Sequence, residues 1–383
     1  MDSDRRWAIN LILSSQHPEG GFGSSPGQIA HLADTFSSIS ALAILLGEAE
    51  PQLVKETWAQ VKVEGMYHWM LRLKQPDGTF AMSQADIYKG ERDVRAIYCA
   101  VALATLLNFL TPDLARGLPE SIATCQTYEG GLSSASQLVG IRTHSHRIPL
   151  GEAHGGYTSC GVLSHFLLKS LERSFSIVPL DYSACLRWLS RMQALPIEGG
   201  GFRGRTNKLV DGCYNWWCAG LFPVIATLIV EDGCDSEEIF EPHDRQSLQE
   251  YALLVSQLQS RTGGLREGPL SRPDLYHTHY ILCGLSAAQH LHRFSPIQAK
   301  LREQEFDARS SPPPRFMLTE ETIEQATNRA RSIYSRALSW EVRDQGCLVI
   351  GEPQNKLVPI DPVFNIRSKY VHTTMTHFYL RPV

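Results

Sequence analysis

The stretch Gly200-Gly-Phe-Arg-Gly-Arg-Thr-Asn-Lys-Leu-Val-Asp-Gly-Cys-Tyr-Asn-Trp-Trp217 concentrates side chains that can do chemistry. Asp211 and Cys213 stand two residues apart, just ahead of an apolar, aromatic run over 214–230 that reads as a helix. A helix start carries free N–H groups and the positive end of the dipole, which favour anions, including a thiolate. A carboxylate and a thiol at this spacing could both reach one Zn²⁺. Arg205 and Lys208 precede them in a glycine-rich turn, where the backbone can adopt positive φ and approach a ligand closely. Cations in such a turn suit an anion. The chemistry suggested is a metal site beside an anion site.

Composition narrows the classes. The chain has 383 residues, 43% hydrophobic and 20% charged, with a formal net charge of -4. That length can bury one large core or two domains. The charge points neither to nucleic acid nor to an anionic membrane surface. No apolar run reaches the roughly 18 residues of a spanning helix, so no stable membrane insertion is expected. The nine cysteines are scattered, odd in number and without a C-x-x-C pair, which argues for reduced thiols and a cytoplasmic setting.

The elements that position the site come from a repeat. A helical segment ends near Gln, turns through an acidic residue and glycine to an aromatic or Leu, and leads by a loop into a second helix. The phrase stands at Gln16 to Phe22, Gln75 to Phe80, Gln126 to Leu132, Gln193 to Phe202 and, without the acid, Gln257 to Leu265. Its period of roughly 50 to 70 residues suits a helical hairpin with its loops. The helix before each turn is amphipathic, as with Cys185, Trp188, Leu189 and Met192 at i, i+3, i+4 and i+7. The helix after it, over 35–46, 94–107, 157–168, 214–230 and 276–291, is apolar almost all round and therefore buried. Pro223 should kink the fourth of these. Alternating half-exposed and buried helices predict an all-α fold, an α/α barrel of concentric inner and outer layers.

Parallel inner helices bring their starts to one rim. Asp93, Arg95 and Tyr98, His154 and Tyr157, Arg205 to Tyr214, and Asp274, Tyr276 and His277 then converge above an interior lined by Trp217, Tyr98, Cys160 and Phe36. Two segments fall outside the repeat. The stretch 137–150, with Arg142-Thr-His-Ser-His-Arg147, reads as a surface loop, and His144 and His146 as non-ligands. The expected organisation is a barrel over 1–292, an inserted linker and solvated helix over 293–358, and a segment over 359–383 packing back on the barrel. Within the insertion, Thr319 reads as the N-cap of a helix running to Trp340, with Glu320 and Glu321 in its first turn.

Three motifs, Gly204-Arg-Thr-Asn-Lys-Leu-Val-Asp-Gly-Cys-Tyr214, Glu152-Ala-His-Gly-Gly-Tyr157 and Tyr276-His-Thr278, resemble the signatures of protein farnesyltransferase β subunits. The resemblance runs from about Gln16 to Gln289, and resumes at Asp361-Pro-Val-Phe-Asn-Ile366 and Arg381-Pro-Val383. It implies Asp211, Cys213 and His277 as ligands of one Zn²⁺ per β subunit. It implies His154, Arg205, Lys208 and Tyr214 on the diphosphate of farnesyl diphosphate, where they assist its departure. Arg95, Tyr98, Tyr157, Cys160 and Trp217 would line the isoprenoid tunnel, and Tyr276 would stand near both the zinc and the protein substrate. It also implies an obligate α subunit that supplies a lysine, and C-a-a-X-terminated proteins as acceptors. An aspartate that assists Mg²⁺ in the family is matched here by Glu267, one methylene longer. The family carries residues ahead of the segment matching Gln16, with a tryptophan that shortens the tunnel; they are missing from this sequence.

Plainer readings stand beside these. A buried cysteine is often a small apolar residue, a lone histidine often a hydrogen-bonded packing residue, and basic loop residues are usually solvated. Glu267 also reads as a solvated loop acid that Arg266 could engage. The nearest rival function is the β subunit of geranylgeranyltransferase type I. More remote are a terpene cyclase, whose Asp-x-Asp-Asp acid motif is lacking here, and a non-catalytic helical scaffold.

Overall fold

The computed structural model describes residues 2–87, 90–140, 146–233, 242–258, 263–318, 321–343 and 348–381. Its organising unit is the repeated turn. Each is closed by an isolated antiparallel bridge: Gln16 with Phe22, Lys74 with Phe80, Gln126 with Leu132, Gln193 with Phe202 and Gln257 with Leu265. Phe22, Phe80, Leu132 and Phe202 are wholly buried. Gly20 takes a φ of 104°, and a Cβ there would lie 2.3 Å from the backbone of Gly65. The turn thus needs glycine both for its φ and for the close pass of the next outer helix.

The glutamine staples neighbouring repeats together. Gln126 Nε2 donates to Gly130 O at 2.9 Å and Asp181 O at 2.9 Å, and Gln193 Nε2 donates to Gly200 O at 2.8 Å and Asp244 O at 2.7 Å. In the second copy the residue in register is Lys74, one earlier than the sequence phrase placed it. Its Nζ donates to Gly78 O at 2.8 Å and Leu114 O at 2.7 Å, reproducing the staple with an amine.

The first part of the chain forms α1 (Asp2–Ser14), α2 (Leu32–Leu46), α3 (Pro51–Trp58), α4 (Val63–Leu73), α5 (Val94–Leu106), α6 (Pro112–Ala115) and α7 (Leu118–Ala123). Strands β1 (Ser136–Val139) and β2 (His146–Pro149) precede α8 (Gly155–Leu168), α9 (Tyr182–Ser190), α10 (Tyr214–Trp217), α11 (Phe222–Glu231), α12 (Arg245–Glu250) and α13 (Leu275–Gln289). Then come β3 (Leu291–Phe294), α14 (Pro296–Arg309), α15 (Ile323–Ala337), β4 (Trp340–Arg343) and α16 (Ser368–Tyr379).

The inner layer runs α2, α5, α8, α10 with α11, then α13, each packed on the next. In α5 every residue except Arg95 is buried, as the all-round apolar pattern requires. The C-terminal segment closes the ring. Val358 O accepts from Ser286 Oγ at 2.7 Å, Asn365 Nδ2 meets His279 Nε2 at 3.1 Å, and α16 packs on α2. Turn and inner helix are also locked together, because Phe22 N, Leu132 N and Leu265 N donate to Thr35, Thr158 and Thr278 Oγ1 at 2.9, 2.8 and 2.9 Å. Those threonines lie in the first turns of α2, α8 and α13, so each turn sets the height of a helix start at the rim.

The structure departs from the sequence reading in several places. The fourth inner helix is broken, not kinked: α10 ends at Trp217, a 3₁₀ turn covers Ala219–Leu221, and Pro223 sits in the first turn of α11, where its missing N–H costs nothing. The stretch read as a surface loop is partly a hairpin, with Ser136 opposite Pro149 and Val139 opposite His146; Arg142 and His144 lie outside the described residues. The stretch 293–358 carries α14, α15 and strand β4, which pairs with β3. Helix α15 is not solvated all round, since Ala326, Ile333 and Tyr334 are buried and it packs on α5 and α8. It starts at Ile323, with Thr322 as N-cap in a capping box with Gln325. Glu321 pairs with buried Arg329 at 2.9 Å, while Thr319 and Glu320 lie outside the described residues.

Candidate functional site

The polar caps of the inner helices are themselves the site. Asp93 caps α5, His154 caps α8 and Asp274 caps α13, each accepting a backbone N–H of its first turn, while Cys213 occupies the cap position of α10. Among the described residues, Asp211, Cys213 and His277 bring ligand atoms within 4.8 Å of one another. His277 Nε2 lies 3.4 Å from Asp211 Oδ1. Its Nδ1 is held by Asp274 Oδ2 at 2.6 Å, which orients the ring and leaves Nε2 for a metal. Asp211 Oδ1 also accepts Cys213 N at 2.9 Å, and Gly212 N donates to Glu267 O at 2.8 Å. A Cβ on Gly212 would lie 2.5 Å from Ile281 Cδ1, so only glycine lets this loop sit against α13.

Burial, then the Asp211 charge, pushes the Cys213 thiol well above its ordinary pKa. Helix α10 is a single turn, so little dipole stands behind Cys213 to offset this. A cation is needed to hold the sulfur as thiolate. One carboxylate, one thiol and one imidazole around a common point form a donor set that fits Zn²⁺. The Tyr276 hydroxyl accepts from Trp217 Nε1 at 3.1 Å and also hydrogen-bonds Cys213.

Beside this set lie the basic residues. His154 Nδ1 accepts Gly156 N at 3.1 Å, and its Nε2 meets the Tyr214 hydroxyl at 3.0 Å. Because Nδ1 accepts, the ring proton sits on Nε2 and is donated to the Tyr214 oxygen, leaving the phenol O–H to donate outward. Burial first, and the Arg205 charge second, lower the His154 pKa and keep the ring neutral. Arg205 is paired with Glu152, and Lys208 is exposed in the same turn.

The interior below is aromatic. Tyr98 is buried, its hydroxyl donating to Val363 O at 2.6 Å and its ring edge-on to Phe36 at 5.3 Å. Cys160 is buried beside it. Trp217 lies against Tyr280 with ring centroids 4.5 Å apart and the planes tilted by 35°. Tyr157 lies against His154 at 4.8 Å, with the Arg95 guanidinium 5.6 Å from its ring centre. Arg95 itself is at the rim, forked on Asp93 at 2.6 Å and paired with Glu91.

The prenyltransferase alpha-alpha toroid domain family matches residues 1–366. The protein farnesyltransferase subunit beta of Pisum sativum is 33% identical over 336 residues, covering 74% of this chain and 72% of that one. The chain belongs to the protein farnesyltransferase β-subunit family. The subunit of the same name from Arabidopsis thaliana is 32% identical over 336 residues, covering 74% of this chain and 62% of that one. The chain spans between 52% and 72% of the length of these and a fungal relative. The fold agrees with a solved Candida albicans protein geranylgeranyltransferase-I complexed with GGPP, at TM-score 0.56 and 22% identity, over 75% of this chain and 78% of that one.

Within this family frame, the structure assembles the residues singled out from sequence around one rim and the interior beneath it. Three neighbours were missed. Tyr280 stands one turn beyond Tyr276, a spacing that puts both rings on one helix face. Glu152 opened a quoted motif yet drew no role, although it neutralises Arg205. Glu129 accepts Thr206 Oγ1 at 2.9 Å and Ala153 N at 3.2 Å, bracing the two basic-site loops.

Proposed function

We propose that this chain is the catalytic β subunit of a protein farnesyltransferase, acting with an α subunit. It would transfer the farnesyl group of farnesyl diphosphate to the cysteine sulfur of a C-terminal C-a-a-X sequence, forming a thioether and releasing diphosphate. The observation that carries this reading is the meeting of Asp211, Cys213 and His277 ligand atoms within 4.8 Å, next to the His154–Tyr214 pair, whose tyrosine follows Cys213 in the chain. Zinc, when bound, would lower the pKa of the substrate thiol and supply it as a thiolate at neutral pH.

The chain's own residues perform the rest. Asp274 fixes the His277 ring, and Asp211 and Cys213 complete the donor set from one turn. Tyr214 donates its phenol O–H to an oxygen of the departing diphosphate while His154 holds the phenol oxygen from behind. Arg205 exchanges Glu152 for a phosphate oxygen, and Lys208 adds a second cation where negative charge grows. The Trp217–Tyr280 and Phe36–Tyr98 contacts exclude water from the lipid and bound its length. Glu267 supplies a hard oxygen for Mg²⁺, which would share the diphosphate charge.

The rival, a geranylgeranyltransferase type I β subunit, replaces that Mg²⁺ with a lysine in its family; Glu267 supports the farnesyl reading. The test is transfer to a C-a-a-X peptide by the αβ heterodimer, offered 15- and 20-carbon donors separately with millimolar Mg²⁺. Preference for the 15-carbon donor supports the proposal. Equal use of both donors, or no transfer by a heterodimer that binds both substrates, contradicts it.

A further inference from the structure

A further carboxylate stands at the edge of the metal set. Glu267 Oε2 lies 3.9 Å from His277 Nε2, the nitrogen that also stands 3.4 Å from Asp211 Oδ1. In a tetrahedral zinc site with bonds of about 2.0–2.2 Å, two oxygen or nitrogen donors are roughly 3.3–3.6 Å apart. The Asp211–His277 separation is already such an edge, and the Glu267–His277 separation exceeds one by a few tenths of an ångström; a turn of the half-exposed Glu267 side chain has to bring Oε2 toward Asp211 and Cys213 as well.

The surroundings hold Glu267 in that position. Its carbonyl accepts Gly212 N at 2.8 Å and the Tyr251 hydroxyl at 2.9 Å, which bolts its loop to the turn carrying Asp211 and Cys213. Its Oε1 accepts Ser271 Oγ at 2.7 Å, so the carboxylate is turned with Oε2 toward the imidazole. Asp274 occupies the other imidazole nitrogen and competes for nothing on this side. Ser271 and the backbone therefore position Glu267 as the longer side chain that can span from its loop to the metal.

The geometry points to Glu267 as a displaceable fourth zinc ligand that closes the metal site until a substrate thiol arrives. Resting on the zinc reading above, this gives the carboxylate two successive partners. In the resting enzyme Oε2 completes the coordination shell. When the peptide binds, the metal–oxygen bond to Glu267 breaks and a metal–sulfur bond forms. The thiol proton passes to solvent water, and the freed carboxylate turns to Mg²⁺ at the diphosphate. No electrons are exchanged. The cap would also deny the metal to stray cellular thiols before the peptide is in place.

The test uses the zinc-loaded αβ heterodimer carrying Glu267→Ala, Glu267→Gln or Glu267→Asp. Zinc affinity is measured by chelator competition, and affinity for a C-a-a-X peptide by fluorescence titration without turnover. Loss of the cap should weaken zinc at least tenfold in the Ala and Gln variants, while peptide affinity rises severalfold because no carboxylate has to leave. The Gln side chain can still accept from Ser271, so its loop stays in place. The Asp variant is one methylene too short to reach the metal; it should behave like Ala toward zinc while keeping its dependence on Mg²⁺. Zinc affinity of Glu267→Ala within twofold of wild type, or an unchanged peptide affinity, overturns the inference and leaves the zinc reading standing. A wild-type heterodimer that retains no zinc overturns both.

Discussion

Replacing Tyr214 by Phe removes a single oxygen and tests the hydrogen-bond chain at the rim. His154 Nε2 donates to that oxygen at 3.0 Å, so the phenol proton is directed outward. Burial pushes the Tyr214 pKa up, which keeps the hydroxyl a donor throughout the neutral range. The ring itself stays put: Tyr214 packs under Gly204, where a Cβ would lie 2.1 Å from the ring, and edge-on to His154 at 5.6 Å. The lost interaction is thus one hydrogen bond to a group whose charge grows in the transition state. Such bonds contribute about 1.5–3 kcal/mol, and each 1.36 kcal/mol is tenfold in rate, so the chemical step should slow about 10- to 150-fold. The assay is single-turnover farnesyl transfer by the zinc-loaded heterodimer, with farnesyl diphosphate affinity measured separately and expected to change little. Adding His154→Gln to Tyr214→Phe should cost less than the two single effects combined, because His154 acts through the phenol. A single-turnover rate within twofold of wild type for Tyr214→Phe would refute the assignment of the outward donor.

Further outcomes follow from the fold. Tyr98→Ala opens the wall between Phe36 and Val363 and should raise use of a 20-carbon donor relative to the 15-carbon one by about tenfold, read from kcat/KM for each. Burial lowers the Lys74 pKa from 10.5 to about 7. The unfolded chain therefore binds the extra proton between those values, and the contribution of Lys74 to stability should rise with pH across that window. Lys74→Gln, which restores the residue of the other repeats, should raise Tm by a few degrees at pH 7, with the gain vanishing toward pH 10. Burial lowers the His165 pKa from 6.5 to about 4. The unfolded state protonates first as pH falls, so this group costs about 1.4 kcal/mol per pH unit between those values. His165→Asn, though less stable at pH 7, should lose stability less steeply over that window in urea titrations.

The barrel was legible because its physics is periodic. All-round apolar helices over 94–107 and 157–168 can only be buried, and glycine turns at a steady phase announce the hairpins between them. The site was legible where local order carries it, as with Asp211-Gly-Cys213, and where caps mark helix starts, as with Asp93, His154 and Asp274. What escaped depends on distance. The Arg205–Glu152 pair joins residues 53 apart, and the approach of Glu267 to His277 joins two loops whose register is set by the Gly212–Glu267 backbone bond. No spacing rule reports either. Other misses were local rules overridden or misread. Thr322 with Gln325 formed a capping box that the acidic run at Glu320–Glu321 obscured. Pro223 ended one helix and began another, a choice that composition alone leaves open. In the second repeat Lys74 took the place of glutamine because a long side chain ending in an amine can reach two carbonyls in the same way.

In the proposed enzyme Asp211, Cys213 and His277, from two separate helix starts, would hold one metal to which the substrate sulfur is added. The most direct measurement is the near-ultraviolet thiolate-to-metal absorption of the Co²⁺-substituted αβ heterodimer, titrated with a C-a-a-X peptide and with its Ser counterpart. A band equivalent to one thiolate is expected before peptide, lost in Cys213→Ala, with a second equivalent gained with the Cys peptide alone. A wild-type spectrum without a thiolate band, or one that the Cys peptide leaves unchanged, would contradict it.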